Sequence, residues 1–194
     1  MSSMEARAKP LVIPVILGTP RQGRMSEHAA RFVVERLAAR EEVETELVDV
    51  REVAPPVDGA GEDIKIPAFS ELCMRADAFV LVAPEYNHGY PGLLKHLLDT
   101  NLKEYIHKAV GICGVSAGNF GGTRVIENLL PVLRELGLVT IFWDVNFSSA
   151  RKLFDAHGMI LDAAYGARFD KFARELVWMA KVLRYGRERV PLEA

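Results

Sequence analysis

Cysteine is scarce in this chain: Cys73 and Cys113 are the only two in 194 residues, and they do not form a C-x-x-C pair. Both stand in apolar surroundings and read as buried free thiols, so neither a disulfide framework nor a thiolate metal centre is expected. No apolar run approaches the roughly 20 residues that a membrane-crossing helix needs. The opening MSSMEARAKP mixes charges of both signs without the apolar stretch of a secretion signal. No membrane association is expected, and the cytoplasm is the expected address. An excess of either charge is missing too, since 24 Lys and Arg face 26 Asp and Glu for a net charge of -2. The basic residues form no cluster, which leaves no electrostatic footprint for nucleic acid. Internal repeats and low-complexity segments are also absent, which excludes solenoid and fibrous architectures.

What is present is an ordinary globular composition, 49% hydrophobic and 26% charged, in a length that suits one domain with a full core. Residues 1–10 read as a mobile arm, 11–185 as the domain and 186–194 as a tail. Short apolar runs alternate with longer amphipathic ones, the pattern of a parallel sheet covered by helices on both faces. Strands are expected at 11–17, 43–50, 78–83, 109–115 and 138–143. Helices should begin at Ser26, Pro67, Pro91 and Thr123, with a last one from Ala163 to Tyr185. Pro131 should kink the helix that begins at Thr123, and Gly137 should stop it. The Pro- and Gly-rich stretch REVAPPVDGAGEDIKIP reads as a long loop. Five strands joined by right-handed crossovers make a doubly wound α/β sheet, and in such folds ligands sit beyond the carboxyl ends of the strands.

Three loops should meet at that edge. The first, GTPRQGRMSEHAAR, puts Gly18, Thr19, Arg21, Arg24 and Ser26 before a helix N-terminus. Unpaired amides, a partial positive charge and guanidinium groups there suit a phosphate. It is neither G-x-G-x-x-G nor a P-loop. The second, APEYNHGYPGLLK, follows the third strand. Turn chemistry accounts for Asn87 and Gly89 at positive φ, but it does not call for Glu85 or Tyr86. The third, GVSAGNFGGTR, has Gly114, Gly118, Gly121 and Gly122 close together, which allows close backbone approach and an anion-seeking concavity. Together the loops describe a site for a flat, phosphate-bearing ligand.

The motifs within these loops resemble those of the NADPH-dependent FMN reductases, flavodoxin-like flavoproteins with quinone, azo-dye and chromate reductase relatives. The resemblance rests on Gly18-Thr19-Pro20-Arg21-Gln22-Gly23 with Ser26, on Pro84-Glu85-Tyr86-Asn87 followed by Pro91-Gly92-Leu93-Leu94-Lys95 with Asp99, and on Ser116-Ala117-Gly118-Asn119-Phe120-Gly121-Gly122. It implies a flavodoxin-like five-stranded parallel sheet of order 2-1-3-4-5. It implies that Thr19, Arg21 and Ser26 grip the phosphate of bound FMN. Pro84, Glu85, Tyr86 and Asn87 would flank the ring and ribityl chain, and Ser116, Gly118 and Gly121 would approach the ring's pyrimidine edge. The implied activity is hydride transfer from NADPH or NADH, a transient co-substrate, through FMN to a small-molecule acceptor such as a quinone, azo compound, free flavin or metal oxyanion. The flavin carries that chemistry, so no general acid or base side chain and no metal is expected. Backbone amides from Gly118 to Gly122 in the third loop would stabilise the negative charge of the reduced ring. Homodimers or homotetramers are implied.

An electron carrier of flavodoxin type is the alternative, although such carriers are strongly acidic and this chain is not. A flavin-binding redox sensor without turnover is another. His88-Gly89 and His96 depart from the family's commonest residues. His88 reads as a surface turn residue, and Lys95 and Asp99 as a surface ion pair. The surplus leucines of the helix after Pro91 would meet a second subunit. Trp143, Trp178 and Met159 read as core or interface residues.

Overall fold

The computed structural model describes residues 9–53, 55–59 and 61–193, so most of the expected arm, residues 1–8, lies outside the described residues. The sheet is parallel throughout, and its middle is the segment that the hydrophobic pattern marks best. Strand β5 (Ala78–Pro84) and strand β6 (Ala109–Val115) pair along their full length. Both are buried on both faces, which is why their sequences run apolar without alternation. The pleat still divides them: Ala78, Val80 and Val82 enter one core, and Phe79, Leu81 and Ala83 the other.

The outer strands are broken where the sequence reads as continuous. The expected first strand is β1 (Leu11–Val12) and β2 (Val15–Leu17). Pro14 between them has no N–H to give to a ladder. The expected second strand is β3 (Val43–Glu44) and β4 (Leu47–Asp49), and Val50 starts a short helix instead. The expected fifth strand, 138–143, is corrected to β7 (Val139–Thr140) and β8 (Val145–Phe147), both parallel to β6. Between these two pieces the amide of Phe142 donates to the Glu175 carboxylate, which takes the chain out of the ladder. The main path runs β4-β2-β5-β6-β7, with β8 extending the last position, so the five lines of strand follow the order 2-1-3-4-5.

Helices α1 (Ser26–Ala38) and α7 (Ala164–Arg189) cover one face. Helices α3 (Pro67–Arg75), α4 (Gly92–Asp99) and α5 (Thr123–Glu135) cover the other. Two short helices, α2 (Val50–Val53) and α6 (Ala150–Leu153), lie at the loop end of the sheet. The expected long loop therefore holds α2 and a 3-10 turn at Gly61–Ile64. Helix α5 runs unbroken through Pro131 and ends in a Schellman motif. There the Leu138 amide reaches the Leu133 carbonyl, the Gly137 amide reaches Arg134, and Gly137 has φ +74°. Helix α7 continues four residues past the expected end at Tyr185, to Arg189.

The leucines of α4 are used internally, since Leu94, Leu97 and Leu98 are all buried. Trp143, Trp178 and Met159 lie at the surface and not in the core. Cys73 and Cys113 are buried free thiols. No helix among the described residues is long and apolar enough to cross a membrane.

Candidate functional site

Because every strand runs the same way, the segments after β2, β5, β6 and β8 leave the sheet at one edge. They enclose a cavity of about 400 Å³ lined by residues 21–26, 84–86, 115–117 and 150–151. The walls differ in chemistry, and each is fixed by bonds that the local sequence supplies.

The first wall is the turn from Thr19 to Ser26. Arg24 is buried and donates to the Thr19 carbonyl and to both oxygens of Asp49, which sits at the end of β4. Arg51 donates to the carbonyls of Pro20 at 3.0 Å and Arg21 at 2.7 Å. Two arginines thus hold the carbonyl side of the turn. In a planar trans peptide the amide points opposite to its carbonyl, so the Gln22 amide faces away from Arg51. The amides of Gln22 to Ser26 bond to no other described residue. Ser26, the first residue of α1, is 2% exposed, and its Oγ is buried without a partner. Arg24 is consequently a brace for the loop and not a free cation. Its carboxylate partner Asp49 lies below its ordinary range: burial pushes it up, but the hydrogen bonds and charge of Arg24, with the Arg51 amide, outweigh that.

The second wall is the segment after β5. Tyr86 and Gly89 exchange two 2.9 Å backbone hydrogen bonds around Asn87 (φ 49°) and His88 (φ 69°). This is the two-residue hairpin geometry that needs positive φ at both central positions. The positive φ falls on Asn87 and His88, so the expectation for Gly89 is corrected. Tyr86 leans back across the site, its hydroxyl 2.6 Å from Thr19 Oγ1 and its ring 3.7 Å beneath the Arg21 guanidinium. Glu85 has a structural role, with one oxygen accepting from the Arg124 amide and the other from the Arg124 guanidinium, each at 3.2 Å. A carboxylate at this place caps the first turn of α5.

The third wall is the start of the loop after β6. Ser116 and Ala117 line the cavity, whereas Gly118 and Gly121 do not. The glycines here serve the protein's own backbone. A Cβ on Gly122 (φ +82°) would stand 2.6 Å from the Val115 nitrogen, and one on Gly121 would stand 2.6 Å from Asn146 Cβ. Only Gly118 faces open space.

Of the sequence-expected residues, Arg21, Ser26, Pro84, Glu85, Tyr86 and Ser116 meet at the cavity. Thr19 lies buried behind Tyr86, and Asn87, Gly118 and Gly121 stand outside the lining. Sequence reasoning missed Asp49 and Arg51, though both follow the carboxyl end of a strand and could have been noticed for that reason. It also missed Arg151, which no local pattern marks.

The description of the NADPH-dependent FMN reductase family matches residues 12–152. The chain belongs to that family. An NAD(P)H-dependent FMN reductase from Pseudomonas aeruginosa is 35% identical over 117 residues, 58% of this chain and 59% of that one. An NADPH azoreductase from a Bacillus species is 31% identical over 120 residues, 59% of this chain and 64% of that one. The matches therefore span less than two thirds of either relative. In fold, FerB, a flavoenzyme NAD(P)H:(acceptor) oxidoreductase from Paracoccus denitrificans, superposes with a TM-score of 0.73 at 19% identity, covering 88% of this chain and 97% of that one. A Streptococcus flavodoxin gives 0.57 at 14% identity, covering 86% and 98%.

The donor set at the cavity fits a planar ring that carries a phosphomonoester. An orphaned buried hydroxyl and a run of unpartnered amides at a helix start are acceptors' partners waiting for an anion. An aromatic ring and a proline beside them offer a flat apolar wall.

Proposed function

We propose that this chain is an NAD(P)H-dependent oxidoreductase that holds FMN in the cavity and reduces a small-molecule acceptor. One observation carries the reading: Ser26 lines the cavity beside Arg21 at the start of α1, and its Oγ is buried without a partner. A buried hydroxyl without a partner costs about 1–3 kcal/mol unless something completes it, and a phosphate oxygen would do so. When bound, FMN supplies two-electron chemistry between a reduced nicotinamide and the acceptor.

The chain's own residues hold, orient and shield. Ser26 Oγ, the amides of residues 22–26 and Arg21 bind the anionic end. Tyr86, fixed by Thr19 and stacked under Arg21, sets the side wall, and Pro84 continues it. Ser116 is anchored by its amide to Phe147 and by its hydroxyl to the Gly118 carbonyl. That leaves the unpartnered Ala117 amide as a donor available to the ring. The amides of residues 118–122, expected for this task, do not line the cavity, and in this reading the Ala117 amide takes their place. No side chain at the cavity is needed to move a proton to carbon.

Anaerobic titration of the flavin-loaded protein tests this. Loss of the visible flavin band on adding NADPH or NADH, and its return with a quinone, is the expected result. A band that neither nucleotide changes would remove the enzymatic reading.

A further inference from the structure

Arg151 belongs to no motif, yet it lines the same cavity as Arg21 and Ser26. It stands in α6, the last of the segments that line the cavity. Its place is set by Ser149, a non-glycine residue at φ 47° just before that helix. A left-handed serine persists only when its surroundings hold it. Here the Ser149 amide donates to the Gly118 carbonyl at 2.8 Å, its hydroxyl lies 3.1 Å from Asn119 Oδ1, and the Ala150 amide donates to the Ser116 carbonyl at 3.0 Å. Three bonds tie the residues just before Arg151 to the loop that forms the third wall.

The charges at the cavity do not balance. Arg24 is answered by Asp49, and Glu85 by Arg124. The Arg21 guanidinium lies on the face of Tyr86 with no ion pair among the described residues, and Arg151 has no ion pair or side-chain hydrogen bond among them. Two guanidinium charges are therefore left over beside an orphaned buried hydroxyl. A phosphomonoester carries about -1.5 to -2 at neutral pH and accepts charge-assisted hydrogen bonds from several sides.

We propose that Arg151 is a second phosphate-binding cation, acting together with Arg21 on the anionic end of the ligand. The inference rests on the FMN reading above and adds a residue to it. Arg21 and the helix start grip the phosphate. Arg151 adds a second charge, so affinity for the phosphorylated ring depends on both arginines while affinity for the ring alone does not.

The test is binding of FMN and of riboflavin to the flavin-free, full-length chain, read by quenching of flavin fluorescence. The proteins compared are the wild type, Arg151→Ala and Arg151→Lys, at several salt concentrations. Arg151→Ala is expected to weaken FMN about tenfold, to leave riboflavin unchanged, and to flatten the salt dependence of FMN binding. Arg151→Lys should recover part of the loss. Arg151 is exposed, so a thermal melt of each variant should match the wild type. Equal weakening of FMN and riboflavin would assign the arginine to packing and overturn the proposal. So would unchanged FMN binding with a raised KM for NADPH but not for NADH, which would assign it to the nucleotide. A wild type that fails to prefer FMN over riboflavin would overturn the FMN reading itself and the arginine's role with it.

Discussion

Arg21 and Arg24 stand three positions apart in one loop, and their surroundings give them opposite roles. Arg24 is buried against Asp49 and braces the turn; Arg21 is exposed and lies on Tyr86. Asp49 is held below its ordinary 3.8, so the folded state binds fewer protons than the unfolded one. The contribution of the pair is then fully present above that value and is lost as pH falls through the lower, folded one. Asp49→Asn should cost about 3 kcal/mol at neutral pH by urea denaturation, because it leaves the buried guanidinium only Glu27, at 3.4 Å, as a carboxylate partner. The gap to the wild type should narrow below 3.8. A gap that does not change with pH would contradict the pairing. Tyr86→Phe removes the 2.6 Å bond to buried Thr19 and should cost about 1 kcal/mol. The sequence could show which residue types stood in the loop. It could not show that Arg24 finds its partner 25 positions away, because nothing local records that contact.

At the scale of elements, the glycines divide by what a side chain would strike. Gly122→Ala should cost about 2 kcal/mol or more, since it meets both a left-handed φ and the Val115 nitrogen. Gly118→Ala should leave stability nearly unchanged, as nothing lies within 4 Å of its Cβ. Equal effects in a denaturation series would refute this division. At the other end of the sheet, buried Lys108 donates to the Cys73 and Met74 carbonyls at the end of α3. Burial, with Arg187 nearby, lowers its ammonium to about 8 from the ordinary 10.5. The folded state therefore releases this proton first as pH rises. Between those two values the wild type should gain stability relative to Lys108→Met, by up to about 1.4 kcal/mol per pH unit. A falling difference would show the opposite sign. The central strands were legible because burial on both faces leaves an uninterrupted apolar run. The outer strands were legible only in part: Pro14 marks its own break. Ile141-Phe142-Trp143 reads as strand although Glu175, far along the chain on α7, takes the Phe142 amide.

For the whole molecule, the parallel order places every candidate segment at one edge, and that much followed from the pattern together with the family resemblance. The surface was less legible, because amphipathic spacing does not say which apolar residue is left outside. The leucines of α4 turn inward, while Phe142, Trp143 and Trp178 are 77%, 39% and 59% exposed. Phe142 and Trp143 stack edge to face, and Lys171 of α7 lies 3.8 Å from the centre of the Trp143 ring. We propose the Phe142–Trp143 patch as the face for self-association, in place of α4. Light scattering should give a mass above one chain of 21.5 kDa, reduced by Trp143→Glu. A monomeric mass for the wild type would remove the idea.

The crystal structure of the FMN complex bears most directly on the central claim. It should place phosphate oxygens within hydrogen-bond reach of Ser26 Oγ and of the amides of residues 22–26. A phosphate at any other pole of the cavity, with Ser26 Oγ still alone, would contradict the account.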